Sequence, residues 1–232
     1  MFLSVSQAAR HIPLLLTAML VLAGCAGQSF QVKDLAKNDI DMAADHYRHE
    51  TQQIVKRLMV KLYKRNPREL EKQRHHRTLD ARLAQLAQDS PLLFDELQGR
   101  RSIDALSFAI DPAFTGDRVF ALTVGLASML NEAYGYTDDF YVYHQLDAQK
   151  LYNSARNIEV LRWRLRNALD DRGNPLLYTN SHQTGAINIS FDRLLTTLIA
   201  HQDMLSRIVA DQSQRTINTV TRSVISMVFI PL

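Results

Sequence analysis

The chain has 232 residues, 46% hydrophobic and 22% charged, which is enough apolar content to bury a core and too much for a disordered segment. Eight Gly and six Pro leave no material for a Gly-rich phosphate cradle or a long Pro-rich linker, and 27 basic against 24 acidic side chains give a net charge of +3, too balanced for a nucleic-acid footprint. A single Cys excludes a disulfide framework and any multi-Cys zinc or iron–sulfur site within one chain.

The place of that Cys carries the most information. Residues 1–24 hold one basic side chain, Arg10, then an apolar run from Leu14 to Ala23, then Gly24 and Cys25. The run is shorter than the roughly 20 residues a helix needs to cross about 30 Å of hydrocarbon, so it reads as a cleaved export signal and not as a permanent span. Leu22-Ala23-Gly24-Cys25 resembles the bacterial lipobox, whose Cys thiol is alkylated by diacylglycerol before cleavage. That resemblance implies a mature chain starting at Cys25, held at the membrane by palmitate-like acyl chains at about 0.8 kcal/mol per buried methylene. Ala26 follows where an Asp would resemble an inner-membrane retention signal, so the expected address is the outer membrane, facing the periplasm. Export also removes nucleic acid as a partner.

The chain therefore divides into a signal over 1–24, a lipidated tether over 25–38 and a domain over 39–232. From Asp39 to Arg65, Ile40, Ala44, Tyr47, Ile54, Leu58 and Leu62 recur at three- and four-residue steps, with acids near the start and bases near the end, as a helix dipole favours. Asn66-Pro67 stops this helix and restarts another, with Asn as cap and Pro at the first helical position. Thr78 caps a short helix through Leu79, Leu83 and Leu86, and Ile103, Leu106 and Ile110 mark the next, after Gly99. Val119 to Leu130 is apolar almost all round, the pattern of a central buried helix. Ala121 and Gly125 would allow a neighbour to come close, and Gly135 is placed to end it.

Asp138 to His144 alternates Phe140 and Val142 with Tyr141 and Tyr143, the one segment that suits an extended strand. Asp147 caps a long helix through Leu151, Ala155, Ile158, Leu161, Leu165 and Leu169, ended by Asp171-Arg172-Gly173-Asn174-Pro175. Ser190 caps a helix carrying Phe191, Leu195, Leu198, Leu205 and Ile208, and Ile217, Val220, Val224 and Val228 predict a last helix. The expected fold is all-α: a single bundle-like domain of five long helices and two or more short ones around a buried central helix.

Four constellations could carry chemistry. Asp45 and His49 share a helix face at metal-ligand spacing, but a third ligand is missing, and His75-His76 sits among Arg residues that oppose a cation. Glu132, with Asp138, Asp139, Tyr134, Tyr136, Tyr141 and Tyr143, offers the carboxylic acid and stacking surface of a glycan-cleaving site, in no recognised arrangement. Asp117 and Arg118 at the start of the apolar helix, together with Tyr152, Asn153, Arg156 and Asn157, form either a buried hydrogen-bond network or the lining of a pocket. The basic stretch from Lys56 to Arg77 could meet anionic head groups, peptidoglycan carboxylates or a protein. Nothing in the sequence requires a metal or a cofactor. The apolar end Val224 to Leu232 is too short to span a membrane and either packs into the bundle or presents a patch.

Several segments taken together resemble a family of proteobacterial lipoproteins: Val32-Lys33-Asp34-Leu35, Lys61-Leu62-Tyr63 with Asn66-Pro67-Arg68-Glu69-Leu70, Asp111-Pro112-Ala113-Phe114 with Gly116-Asp117-Arg118-Val119-Phe120-Ala121, Lys150 to Asn157, Ile208 to Asp211 and Arg215 to Asn218. The resemblance covers most of the chain after Cys25. It implies the lipid-anchored address and brings no activity or catalytic residue with it. The expectation is a non-enzymatic interaction or accessory protein with an envelope protein as partner. The alternatives are a peptidoglycan-directed binder or enzyme using Glu132, and a carrier of an apolar ligand.

Overall fold

In a computed structural model, the residues described are 39–72, 77–88, 91–137, 146–180, 189–213, 216–217 and 227–232. They belong to one compact unit that begins at Asn38. The signal, Cys25, the tether, the extended segment at 138–144 and most of the expected last helix lie outside the described residues.

Among the described residues there are seven α-helices, and the fold is all-α: α1 Asp39–Arg65, α2 Arg68–Glu71, α3 Leu79–Leu86, α4 Ser102–Ala109, α5 Arg118–Ala133, α6 Ala148–Asn167 and α7 Ser190–Ser213. A single 3-10 turn, Asp95–Leu97, and one isolated bridge between Leu169 and Pro175 are the other regular features among the described residues. None of these helices is long and apolar enough to cross a membrane.

The 27-residue α1 keeps the predicted bounds, with Asp39 and Asp41 in its first turn and Lys64 and Arg65 in its last. Its buried stripe of Ile54, Leu58 and Leu62 joins the main core, where α1 packs on both α5 and α7. Helix α5 is buried on nearly every side, which matches its lack of a polar face, and α4, α1, α6 and α3 cover it, while α6 also pairs closely with α7. The main core runs through Leu58, Leu62, Phe120, Leu126, Leu161 and Leu198, and a smaller cluster holds Ala44, Tyr134, Leu151 and Leu205.

Capping follows elementary donor counting. Thr78 Oγ1 accepts from Ala81 N at 3.2 Å, Asp117 Oδ1 from Phe120 N at 2.9 Å and Asp147 Oδ1 from Gln149 N at 2.8 Å. Gly135 adopts φ +68 just past α5, the left-handed position that glycine tolerates.

Three expectations are corrected. Asn66 does not cap α2: its Nδ2 donates to Leu62 O and Tyr178 O and its Oδ1 accepts from Tyr178 N, so its amide ties a distant loop to the end of α1. Helix α6 stops at Asn167, short of Leu169, which is exposed, because Asp170 Oδ1 takes Arg172 N and Asn174 N into a tight turn. The described end of the chain, Met227–Leu232, is not helical. Its main-chain groups are taken by side chains of α6, Pro231 has no N–H to give, and Val228 is exposed while Phe229 and Leu232 pack on the core.

Close approach decides one position. A Cβ at Gly125 would lie 2.7 Å from Leu106 N and 3.0 Å from the Leu106 side chain, so α4 rests directly on the α5 backbone there. Gly125→Ala gains helix propensity but forces the two helices apart, and the net cost expected is about 1–3 kcal/mol. Thermal unfolding followed by circular dichroism should show a lowered midpoint, and an unchanged one would contradict the contact.

Candidate functional site

The first polar group gathers at the start of α5. Asp117 Oδ2 accepts from Tyr63 Oη of α1 at 2.7 Å and from Arg82 Nε of α3 at 3.1 Å, and Arg82 Nη2 lies 2.9 Å away. Arg82, at 1% exposure, continues to Glu96 in a bidentate pair of 2.6 and 2.9 Å, and its guanidinium stacks 3.9 Å above the Phe120 ring. Arg77 Nη1 reaches the same Glu96 at 2.8 Å.

Beside it, the wholly buried Glu69 accepts Arg118 N at 2.8 Å, with Lys72 Nζ 2.8 Å from the carboxylate. Two carboxylates thus meet the amides at the positive end of the α5 dipole. The Arg118 guanidinium turns away to donate to the carbonyls of Ala109, Asp111, Pro112 and Phe114, and so fastens the turn between α4 and α5.

Burial drives the titration of this group. It pushes the Asp117 carboxyl up, while the bonds from Tyr63 and the Phe120 amide and the nearby Arg82 charge hold it down. Burial, reinforced by the Asp117 charge, also pushes the Tyr63 phenol far up, so Tyr63 stays a donor. Every strong donor has an acceptor, and Asp117 is 2% exposed. The arrangement is an internal strut, of which only Glu96 reaches an open groove, of about 350 Å³ beside Phe108 and Phe114.

The second group lies on α6. Asn157 clasps Ile230 through both amide atoms, Nδ2 to Ile230 O at 2.8 Å and Oδ1 from Ile230 N at 2.7 Å. Asn153 Nδ2 donates to Pro231 O at 3.0 Å, Arg164 Nε donates to Met227 O at 2.8 Å, and its guanidinium stacks 5.0 Å from the Phe229 ring. These side chains bind the chain's own C-terminal segment. Arg156 points elsewhere, to Asp203 of α7 at 2.7 and 3.0 Å, and lies 4.9 Å from the Tyr152 ring. The six residues singled out in the sequence therefore fall into three places: Asp117 with Arg118, Asn153 with Asn157, and Arg156 with Tyr152.

Tyr63, Glu69, Arg82, Glu96 and Gln202 were not among them. Arg82 had a signal: it stands three after Leu79 and four before Leu86, a charge inside an apolar stripe. Gln202 has the same signature between Leu198 and Leu205, and its Nε2 donates to Tyr134 Oη at 3.1 Å.

Of the residues grouped with Glu132, only Tyr136 is both described and exposed near it, close enough for the Glu132 charge to add to burial in raising its phenol. Tyr134 is inside the helix packing, its phenol pushed up to about 12 chiefly by burial, whereas Tyr136 is on the surface beside Arg101. Asp138, Asp139, Tyr141 and Tyr143 lie outside the described residues. A cleft of about 100 Å³ between α1, α3 and α5 is lined by Lys56, Leu86, Leu130, Asn131 and Tyr134, without Glu132. It is smaller than the roughly 150 Å³ that accommodates one benzene ring.

Asp45 and His49 lack a third ligand: among the described residues no three His, Cys, Asp or Glu side chains are placed to hold a cation. His75 and His76 lie outside the described residues. Half of the described basic stretch is tied down, with Lys61 on Ser190 Oγ, Arg68 on Leu176 O, Lys72 on Glu69 and Arg77 on Glu96, whereas Lys64 and Arg65 are exposed.

Replacing Asn157 by Leu would leave the Ile230 N–H and C=O without their side-chain partner, at a cost of about 1–3 kcal/mol. Hydrogen exchange should then become fast at Ile230 while the α5 amides stay protected. Protection retained at Ile230 would contradict the clasp.

His201 of α7 packs edge-on against Tyr47 at 5.2 Å, with its Nδ1 buried and without a hydrogen-bond partner. Burial pulls its pKa below the usual 6.5, with His46 adding to that and Glu50 opposing it. The folded state therefore favours neutral His201, whereas the unfolded chain takes up the proton near pH 6.5, so stability falls as pH drops from about 7 toward 5. Unfolding midpoints of wild type and His201→Phe across that range should show the smaller decline in the variant.

Comparison with known protein families, with curated proteins and with solved structures finds no match for this chain.

Proposed function

We propose that this chain is a lipid-anchored, periplasm-facing accessory protein of the bacterial cell envelope, and that it acts by binding and not by catalysis. The observation that carries the reading is where the buried charge goes. Asp117, Arg82, Glu96 and Glu69 are engaged with one another, with Tyr63 and with the amides of α5, so the side chains best suited to acid–base work serve the fold. The lipobox-like Leu22-Ala23-Gly24-Cys25 and the resemblance to proteobacterial lipoproteins support the address.

The two alternatives have less behind them. A glycan-cleaving role needs Glu132 beside a broad stacking surface, and of its described tyrosines Tyr134 is buried, which leaves Tyr136 alone exposed near it. A carrier of an acyl chain needs an enclosed apolar cavity, whereas the cleft beside Tyr134 holds about 100 Å³ and the larger hollows of about 310 to 450 Å³ are open surface grooves.

Metabolic labelling with a palmitate analogue should mark the wild-type protein and leave Cys25→Ser unmarked. Continued labelling of the variant would overturn the anchor. The accessory reading predicts that Glu132→Gln supports the same peptidoglycan turnover as wild type in the same cells.

A further inference from the structure

Four sets of bonds bring the end of α1, the end of α6 and the start of α7 to one end of the domain. Asn66 holds the Tyr178 main chain, and Lys61 Nζ donates to Ser190 Oγ at 3.0 Å. Arg162 and Arg166 both pair with Asp192, and Arg164 holds Met227 O. The segments that meet there, 61–72, 162–178 and 189–193, carry ten basic and five acidic side chains. The whole chain is nearly balanced at 27 and 24.

Two of those acids are already used. Glu69 is buried under Lys72 and the Arg118 amide, and Asp192 is held between two arginines. Lys64, Arg65, Arg172 and Arg193 are exposed. The opposite end of α1 opens with Asp39, Asp41 and Asp45, so the domain is electrically polar along that helix.

The same end exposes apolar surface. Of nine large hydrophobic side chains exposed among the described residues, five are here: Trp163, Leu169, Tyr178, Ile189 and Val228, at 44% to 59% exposure. Trp163 and Ile189 line separate hollows, each with an arginine beside it, and Arg68 lies 5.6 Å from the Tyr178 ring. A protein hot spot would collect its anchors at the centre of one desolvated patch. Trp and Tyr with scattered aliphatics among cations is instead the composition that partitions into a headgroup layer, where rings sit at the boundary and bases lie against phosphates.

We propose that this basic end docks on an anionic phospholipid surface, with Trp163 entering the headgroup boundary. Helix α1 is about 40 Å long, and a fully extended 26–38 segment spans at most about 43 Å, so an acyl anchor at Cys25 leaves this end within reach of the same bilayer. The docking does not depend on that anchor.

Trp163 is the only Trp in the chain, which gives the test a native reporter. The purified full-length protein is mixed at low salt with vesicles of phosphatidylcholine alone, or of phosphatidylcholine with phosphatidylglycerol. The anionic vesicles should shift Trp163 emission to the blue, brominated acyl chains in them should quench it, and added salt should reverse both. Each basic side chain near an anionic leaflet contributes about a five-fold factor, so Arg65→Gln combined with Arg172→Gln should weaken the titration by about 25-fold. Both residues are exposed, and circular dichroism checks that the double variant folds.

Cys25→Ser should keep the shift while losing palmitate labelling, which separates failure of the anchor from failure of the docking. Solvent-like Trp163 emission on protein that floats with anionic vesicles would overturn the proposal and turn attention to a protein as occupant. An equal shift with neutral vesicles would overturn its electrostatic basis.

Discussion

Asp117 stands where three helices have to agree. Its Oδ1 takes the Phe120 amide and so fixes where α5 begins, while its Oδ2 takes Tyr63 from α1 and Arg82 from α3. Helix α5 is buried almost all round, so its first amides cannot turn to water, and each one left unmet would cost about 1–3 kcal/mol. The attraction between Asp117 and Arg82 is offset by the desolvation of both, so the pair adds little net stability over an apolar replacement. Removing one partner is a different matter, because a lone buried charge costs about 3–5 kcal/mol. The pair sets the register of α1, α3 and α5 more than the depth of the free-energy well.

The same economy of partners explains how irregular chain is held without a sheet. Asn66 gives Tyr178 a donor and an acceptor, and Asn157 does the same for Ile230, so each carboxamide stands in for a strand. Arg118 performs a one-sided version with four carbonyls of the turn between α4 and α5. Helix side chains thereby satisfy main-chain groups that would otherwise be buried and unmet. These clasps also bring the ends of α1 and α6 together, and with them the arginines and exposed rings of the basic end.

Charge in this protein consequently does two kinds of work. Inside, it is matched within a few ångströms and positions helices. Outside, the excess of bases at one end and the acids at the start of α1 leave an electrical polarity that the overall balance conceals. The proposed anchor at Cys25 and the proposed headgroup-binding surface near Trp163 would be chemically separate attachments, one covalent and apolar, the other reversible and sensitive to salt.

The helix period made α1 legible from Asp39 to Arg65, and the unbroken apolar run of α5 marked it as central, because burial on one face or on all faces leaves its trace in neighbouring residues. Asp117 and Arg118 stood out as polar residues at the mouth of that run. Their partners did not: Tyr63 is 54 residues from Asp117 and Arg82 is 35, separations over which no periodicity carries information. The C-terminal valines matched a helical step, yet the described end of the chain is non-helical and held by Asn153 and Asn157, and only contact with α6 could reveal this. By itself, then, the sequence determined the helical content and the caps at Thr78 and Asp147, all properties of residues close in the chain. Tertiary structure alone decided which charges are buried in pairs and which crowd together at the surface, because that depends on where loops deliver residues far apart in sequence.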